Sequence, residues 1–453
     1  MTILWAEQAL TGAGWRDAVR VEIEAGRIIG LTAGATPEGE RVGILLPAPA
    51  NLHSHAFQRA MAGMTERRGA DATDSFWTWR QLMYRFLVHL TPDDVGAISA
   101  FVQMEMLEAG YACVTEFHYL HHGANGQSYD NPAEMSERVI AAAVETGIGL
   151  TLLPVLYRRG GCDGQALGPG QVRFGNDRDG FARLWQAAAT ALAALPADAR
   201  IGVAPHSLRA VSPDDLAFAA AFAPDAPIHL HLAEQVAEVE EVRAAYGARP
   251  VEWLLANAAV DARWCLIHCT QMQPAETFAL AATGAVAGLC PMTEANLGDG
   301  IFDGVRYLGA GGQFGIGSDS NIRIALAEEL RLLEYTQRLR DRGRAMLART
   351  DRSSGGVLFE AAVRGGAQAA GRDAGRIEVG ALADLMALDN GAVDLQGRHG
   401  DDGLDAYIFA GDDRMVSEVW AAGRHLVTAG RHRKRQVITA RYRATMAVLR
   451  GRL

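Results

Sequence analysis

The sequence predicts an α/β fold, a TIM-like parallel (β/α)8 barrel, because short apolar runs alternate with longer segments of helical periodicity. Each run is almost continuously apolar, which is typical of strands buried on both faces of a parallel sheet. The chain has 453 residues, enough for one large domain and a smaller one. The predicted strands lie in the runs 43–55, 111–119, 147–157, 200–208, 227–234, 264–272, 284–294 and 312–321.

Helical periodicity is clearest in two of the intervening segments. Residues 93–110 and 131–147 repeat their apolar positions with helical spacing, and each has an N-cap candidate at its start. The basic tail that begins at Arg431 is predicted to be an amphipathic terminal helix, with its charges on one face, rather than a site for an anionic partner.

Composition argues against several classes of protein. A net charge of −10 argues against a nucleic-acid partner. We find no apolar segment long enough to span a bilayer, and residues 1–10 lack the basic region and hydrophobic core of a signal peptide. Five singly placed cysteines fit free thiols in a reducing compartment. The expectation is therefore a cytoplasmic protein without a membrane partner.

Histidines gather at the predicted strand ends. His53 and His55 are two residues apart, so a strand would point both imidazoles to the same face, where they could share one metal ion. Chemistry in such barrels lies at the carboxyl ends of the strands, and several buried imidazoles there require a shared partner such as a divalent cation. Other polar residues at these ends are Glu116, His118, Tyr119, His206, Arg209, His229, His231, Glu234, His268 and Asp319.

These motifs resemble those of the amidohydrolase superfamily. The matching features are HxH at His53, HxxE from His231 to Glu234, the later His268, SDS around Asp319, and RIEVGALADLMALD at 376–389. The resemblance implies that residues 47–376 form a metal-dependent (β/α)8 barrel. It also implies that residues 1–46 and 377–453 combine into a small β-sandwich that carries the C-terminal helix.

The resemblance also implies a metal site and three catalytic residues. Its metal ligands would be His53, His55, His231 and Asp319, which suit one zinc ion, with iron or manganese left open. Many binuclear relatives use a carbamylated lysine after the fourth strand, whereas the one lysine of this chain is Lys434, so a single ion is expected. Asp319 would also accept a proton from water. Glu234 would carry a proton to the leaving nitrogen, and His268 would polarise the electrophile.

Within that superfamily, several segments resemble the formimidoylglutamate deiminases. These segments are NLHSHAFQRAMAGMTE, FWTWRQLMY, VTEFHYLHH, APHSLRAV and HLHLAEQ. The resemblance implies hydrolysis of N-formimidoyl-L-glutamate to N-formyl-L-glutamate and ammonia, in histidine degradation, by a homodimer. A dicarboxylate substrate calls for arginine forks. The implied substrate-binding residues are Gln58, Arg80, Tyr119, His206 and Arg209.

The sequence leaves several alternatives open. Either Gln58 or its neighbour Arg59 could face the pocket, and Arg323 is a further candidate anchor. The aromatic residues of 76–79 could instead stack a ring substrate of the guanine or triazine type. An imidazolonepropionase is another relative to consider. A non-catalytic barrel protein would be expected to lack the metal ligands, and all four are present here.

Overall fold

The computed structural model describes residues 1–66 and 76–452, with the side chains of 76–78 outside the description. Its strands are β1 Thr2–Thr11, β2 Gly14–Glu24, β3 Arg27–Thr32, β4 Glu40–Pro47, β5 Ala50–Ser54, β6 Cys113–His118, β7 Gly149–Leu156, β8 Arg200–Ile201, β9 Ala204–Pro205, β10 Ile228–Leu232, β11 Trp264–His268, β12 Val286–Leu289, β13 Gln313–Ile316, β14 Leu385–Leu388, β15 Val416–Ala421, β16 Arg424–Thr428 and β17 Arg431–His432.

One sheet combines strands from both ends of the chain. Its order is β17-β16-β15-β14-β4-β1-β2-β3, so that N-terminal β4 and C-terminal β14 are adjacent. They pair antiparallel, with Leu385 opposite Pro47. Alternating burial along β2 leaves Val19, Val21 and Ile23 on the packed face, as expected for a sheet with one solvated side. The two chain ends therefore fold together.

The remaining strands form two parallel sheets, which confirms the predicted α/β class with parallel strands. One sheet has the order β5-β6-β7-β8, with β9 also paired to β7, and the other has the order β10-β11-β12-β13. Parallel bridges link the sheets at both edges, from Ser54 to Asp319 and from Val203 to Ile228. Almost every residue of these strands is buried, in agreement with their near-continuous apolar character.

Two of the predicted strands differ from the structure. The first apolar run contains both β4, which joins the sheet of the chain ends, and β5, which begins the parallel sheet. The fourth run contains the two short strands β8 and β9. Gly202 lies between them, where a Cβ would be only 2.4 Å from Leu153 and 2.6 Å from the carbonyl oxygen of Pro227. The chain at this point is therefore packed too closely for a larger residue.

Helices follow most of the parallel strands, and the two predicted from periodicity are present as α2 and α3. A capping box between Thr91 and Asp94 begins α2. The α-helices are α1 Phe76–Leu87, α2 Pro92–Glu108, α3 Glu134–Thr146, α4 Arg178–Ala191, α5 Pro213–Phe222, α6 Val236–Tyr246, α7 Pro250–Asn257, α8 Pro274–Ala281, α9 Pro291–Leu297, α10 Gly304–Gly309, α11 Leu326–Asp341, α12 Ser354–Ala369, α13 Asp401–Asp405 and α14 Arg435–Arg450. Shorter 3-10 turns span Ala56–Met61, Leu192–Ala194, Val393–Leu395 and Asp413–Met415, and a π turn spans Ala406–Ala410.

The predicted C-terminal helix is α14, and its basic residues pair with acids of neighbouring helices. Arg435 pairs with Glu108 of α2, and Arg441 pairs with Glu145 of α3. Tyr442 stacks on Phe101 with ring centroids 4.0 Å apart. Two of the basic residues of the tail are thus paired within the chain.

Two expectations about the chain's surroundings can be compared with the structure. All five cysteines are buried and free. Across residues 1–66 and 76–452, no helix combines the length and the apolar character needed to cross a membrane.

Candidate active site

Three histidines and one aspartate from distant strands meet at the carboxyl ends of the parallel sheets. His53 and His55 lie at the end of β5, His231 lies in β10, and Asp319 follows β13. The four side chains are buried, and one potential ligand atom from each lies within 4.8 Å of the others. His53 Nε2 is 3.0 Å from His231 Nε2 and 3.5 Å from Asp319 Oδ1, and His55 Nε2 is 3.3 Å from the same oxygen. These are the residues predicted as metal ligands.

Backbone carbonyls orient two of these imidazoles. His55 Nδ1 is 2.9 Å from the carbonyl oxygen of Phe117, and His231 Nδ1 is 3.0 Å from that of His206. Because a carbonyl oxygen only accepts hydrogen bonds, each Nδ1 must donate, and the Nε2 of each neutral ring keeps its lone pair. A hydrogen bond from the ring nitrogen that does not bind the metal to a carbonyl oxygen is typical of metal-binding histidines.

The protonation states of the cluster fit a cation. Burial lowers the pKa of His53 to about 3 and lowers the pKa values of His55 and His231. Burial raises the pKa of Asp319, but the neighbouring His53 outweighs this effect and holds it below its ordinary value. Neutral imidazoles beside an ionised carboxylate form a donor set that suits a divalent metal. The residues present therefore fit the metal ion that the motifs imply.

Glu234 and His268 lie beside this cluster. His268 Nε2 is 3.7 Å from Glu234 Oε1 and 3.8 Å from Asp319 Oδ2. Burial lowers the pKa of His268, but the charge of Glu234 and the contact with Glu294 outweigh it and raise the pKa to about 10. Burial raises the pKa of Glu234, and the charge of His268 opposes that rise. Glu234 is 5% exposed, so it is not a solvated acid at the start of α6.

The backbone is strained where two of these residues lie. Both His268 and Asp319 adopt left-handed conformations, with φ of 73° and 48°. Residues other than glycine rarely adopt such values, and they concentrate at functional sites. The conformation turns each side chain at the end of its strand, β11 or β13, toward the cluster.

A single cavity is lined by three of the four cluster residues and by all five predicted substrate-binding side chains. Gln58, Arg80, Tyr119, His206 and Arg209 all line it together with His55, His231, Glu234, His268 and Asp319. Arg80 donates a hydrogen bond of 3.0 Å to the hydroxyl of Tyr157. Arg209 is 7% exposed, and its Nε has no hydrogen-bond partner among the described residues. A buried guanidinium with an unsatisfied donor favours an anionic ligand.

The structure distinguishes between the three candidate anchors Gln58, Arg59 and Arg323. Gln58 lines the cavity and donates to the Tyr119 hydroxyl at 2.8 Å. Arg59 instead pairs with Glu105 at 2.7 Å. The side chain of Arg323 is 59% exposed, pairs with Glu328 at 2.8 Å, and does not line this cavity. Gln58, rather than either arginine, therefore faces the cavity.

Sequence reasoning missed other residues of the site. Among the described side chains, Met83, Tyr84, Tyr157, Phe174, Leu297 and Ser320 also line the cavity, as does Trp79 from the aromatic segment 76–79. Glu294 lies 3.3 Å from His268 and was not singled out. Met83 and Tyr84 lie in the segment FWTWRQLMY and Ser320 lies in SDS, but the sequence does not indicate that they face the site. Tyr157, Phe174, Leu297 and Glu294 lie in no motif, so only their spatial proximity reveals them. Conversely, His118 and His229 are buried but do not line the cavity.

Comparisons with known proteins agree with this geometry. Residues 44–426 match the model described as "Amidohydrolase family", and residues 1–41 match "Formimidoylglutamate deiminase HutF, N-terminal domain". A formimidoylglutamate deiminase from Pseudomonas aeruginosa is 49% identical over 437 residues, which cover 95% of this chain and 96% of that protein.

Solved structures agree as well. The crystal structure of an amidohydrolase from Brucella melitensis is 47% identical, has a TM-score of 0.95, and covers 99% of this chain and 100% of that one. An adenosine deaminase from Xanthomonas campestris shares the fold alone, with 21% identity and a TM-score of 0.82 over 99% of this chain and 98% of that one. The chain therefore belongs to the amidohydrolase family, and within it to the formimidoylglutamate deiminases.

Proposed function

We propose that this enzyme hydrolyses N-formimidoyl-L-glutamate to N-formyl-L-glutamate and ammonia, as a step of histidine degradation. The observation that carries the proposal is the placement of Arg209, with its unsatisfied Nε, in a cavity lined by His55, His231 and Asp319, three members of the buried cluster that His53 completes. The activity named for the Pseudomonas aeruginosa relative supports the same substrate.

We propose that the four-residue cluster holds one zinc ion per chain. Three neutral imidazoles and a carboxylate are ligands that zinc prefers, although iron and manganese accept them too. When bound, such an ion lowers the pKa of a coordinated water from about 15.7 toward about 7. Direct measurement of the metal content of the purified protein tests this assignment.

The chain's own acids and His268 account for the proton transfers. Asp319 accepts a proton from water as the water oxygen bonds to the formimidoyl carbon. Glu234 delivers a proton to the terminal nitrogen, which in the amidinium form of the substrate already carries two hydrogens, as the bond between that nitrogen and the carbon breaks and ammonia leaves. The second hydrogen of the water leaves the new hydroxyl group as a proton when the formyl C=O bond forms, and the ionised Glu234 takes it up. His268 donates a hydrogen bond to the reacting group. The separations of His268 Nε2 from Glu234 and Asp319, 3.7 Å and 3.8 Å, leave these three groups close to one reacting centre.

The two carboxylates of the substrate explain the arginines of the cavity. Arg80 and Arg209 each offer a planar fork of donors, which suits a carboxylate. Gln58, Tyr119 and His206 add neutral hydrogen-bonding groups on the same wall. Glu234 Oε2 is 3.9 Å from Arg209 Nη2, so this guanidinium also lies near the proposed proton donor.

We further propose the architecture and setting expected for the family. The parallel strands of residues 47–376 would close into one (β/α)8 barrel, a proposal supported by the bridges at both sheet edges. The sheet of residues 1–46 and 377–453 would belong to a β-sandwich. The enzyme would act as a cytoplasmic homodimer, and size-exclusion chromatography with light scattering tests that oligomeric state.

Ammonia release from N-formimidoyl-L-glutamate by purified protein is the decisive assay. Release is expected to require the metal, to stop after chelation and to return when zinc is added back. N-formylglutamate should be the product. If a protein holding one equivalent of zinc released no ammonia, this substrate would be wrong. Ring substrates of the guanine or triazine type and imidazolonepropionate would then be tested.

A further inference from the structure

Glu294 is a buried acid directly behind His268. It belongs to the short helix α9, which follows β12 with only Cys290 between them, and it is 4% exposed. Glu294 Oε1 lies 3.3 Å from His268 Nδ1 and accepts a hydrogen bond of 2.8 Å from the backbone N–H of Cys290. Because the Cys290 backbone holds that oxygen, the carboxylate has little freedom to move away from the imidazole.

The contact determines how His268 presents its other nitrogen. Nδ1 donates to Glu294 Oε1, because that oxygen also receives the backbone N–H of Cys290 and so acts as an acceptor. Nε2 is then the atom directed at Glu234 Oε1 and Asp319 Oδ2, 3.7 Å and 3.8 Å away. Among the described residues, the hydrogen bond with Glu294 is the only one found for this ring. Without it, the imidazole ring would be free to turn away from this orientation.

We infer that Glu294 is a positioning residue that acts on the reaction only through His268, an inference that rests on the proposed function. Glu294 does not line the cavity that contains Arg209 and Glu234, so it does not bind the substrate. The pairing of a buried carboxylate with a histidine is a general means of fixing the orientation and tautomer of a working imidazole. Here the carboxylate lies on the opposite side of His268 from the reacting groups.

A double-mutant cycle tests the inference. Glu294→Gln keeps the shape of the side chain and an oxygen for the Cys290 N–H, but removes the charge. We expect kcat to fall by about 10- to 100-fold, as for other outer partners of working histidines. KM and zinc content should stay within about threefold of wild type, because the cavity wall and the metal ligands are unchanged.

The second half of the cycle uses His268→Gln. If Glu294 acts only through His268, adding Glu294→Gln to His268→Gln should lower kcat no further. Multiplied losses in the double variant would overturn the inference, since they would show an independent or purely structural effect. Glu294→Asp, which retains the charge at shorter reach, is run through the same cycle so that a poorly folding Gln variant does not decide the outcome.

Glu329 provides the matched control. It is fully buried and accepts a hydrogen bond of 2.8 Å from the backbone N–H of Met292, in the same helix α9. We expect Glu329→Gln to lower the melting temperature while leaving kcat within about threefold of wild type, and to combine multiplicatively with His268→Gln. Loss of kcat in Glu329→Gln equal to that in Glu294→Gln would assign both effects to packing. An inactive wild type would overturn the proposed function and this inference together, whereas an active wild type with a multiplicative cycle would overturn this inference alone.

Discussion

At the scale of single residues, Asp319 is the residue that we propose both to bind the metal and to accept a proton. Its Oδ1 faces His53 and His55, and its Oδ2 faces His268. We predict that Asp319→Asn lowers kcat by about 10²- to 10⁴-fold, because an amide cannot accept the proton of water. Steady-state kinetics, with circular dichroism to check folding, measure the effect. A rate within about threefold of wild type would disprove the role assigned to this carboxylate.

Arg209 carries a second prediction at this scale. Arg209→Met should raise KM for N-formimidoyl-L-glutamate by about 10- to 100-fold with a smaller effect on kcat, because one charge-assisted contact with a carboxylate is lost. Analogues that lack one of the two carboxylates provide the control. The variant should lose no further affinity for the analogue that lacks the carboxylate bound by Arg209. The substitution could instead raise KM for both analogues by the same factor as for the full substrate. In that case Arg209 does not bind a carboxylate.

At the scale of elements, α1 depends on a buried arginine. This helix contributes Arg80, Met83 and Tyr84 to the cavity. Arg173 is 3% exposed and donates to the carbonyl oxygen of Leu87 at the end of α1, to that of Leu90 at 3.1 Å, and to that of His122 at 2.8 Å. It therefore ties the helix to the loop that follows β6.

We predict that Arg173→Met both destabilises the protein and weakens substrate binding. Three carbonyl oxygens would lose a buried donor, at a cost of about 1–3 kcal/mol each before relaxation. The loosened end of α1 should also raise KM by several-fold, because Arg80 lies on that helix. Urea unfolding and kinetics measure the two effects. Arg349→Met is the control: its side chain is 63% exposed and pairs with the also exposed Asp351, so a change under about 1 kcal/mol is expected. Equal effects of both substitutions would rule out this role for Arg173.

At the scale of the whole molecule, Arg372 joins the sheet of the chain ends to the parallel strands. Its side chain has no exposed area and pairs with Asp384, just before β14, at 2.9 Å and with Asp198, just before β8, at 3.1 Å. Arg424 of β16 adds a pair with Asp198 at 2.8 Å. We predict that Arg372→Met lowers the free energy of unfolding by about 3–5 kcal/mol, since it leaves the buried Asp384 without its arginine partner and Asp198 with Arg424 alone.

The pH dependence of unfolding provides an independent check of this network. Burial raises the pKa of Asp198, but Arg424 and Arg372 outweigh burial and hold it below its ordinary value of 3.8. A depressed pKa stabilises the fold fully above 3.8, and this stabilisation is lost as the pH falls toward the lower folded-state value. The loss of unfolding free energy caused by Arg372→Met should therefore be smaller at acid pH than at neutral pH. Arg376→Met, at an exposed ion pair with Asp373, should change stability by less than about 1 kcal/mol at any pH. A loss of unfolding free energy in Arg372→Met that stays constant from neutral to acid pH would contradict this account.

The sequence by itself determined the parallel α/β class, the family and the four side chains that meet in the candidate metal site. It could do so because periodicity reports burial along each strand, and because HxH, HxxE and SDS place ligand types at strand ends. Confirmation of the family came from relatives that match nearly the whole chain. The individual catalytic and substrate-binding roles remain predictions, although their side chains share one cavity.

Only the tertiary structure decided which neighbouring side chains face that cavity. Gln58 and Arg59 are adjacent in a 3-10 turn, where sequence spacing gives no direction, and the ion pair with Glu105 turns Arg59 away. Glu294 lies 26 residues from His268 and matches no motif. The division of the first apolar run between two sheets was equally hidden, since both strands are buried. Contacts between distant segments depend on how strands pair and helices pack. A local pattern of residues predicts the secondary structure of its own segment but not the segments that it will contact.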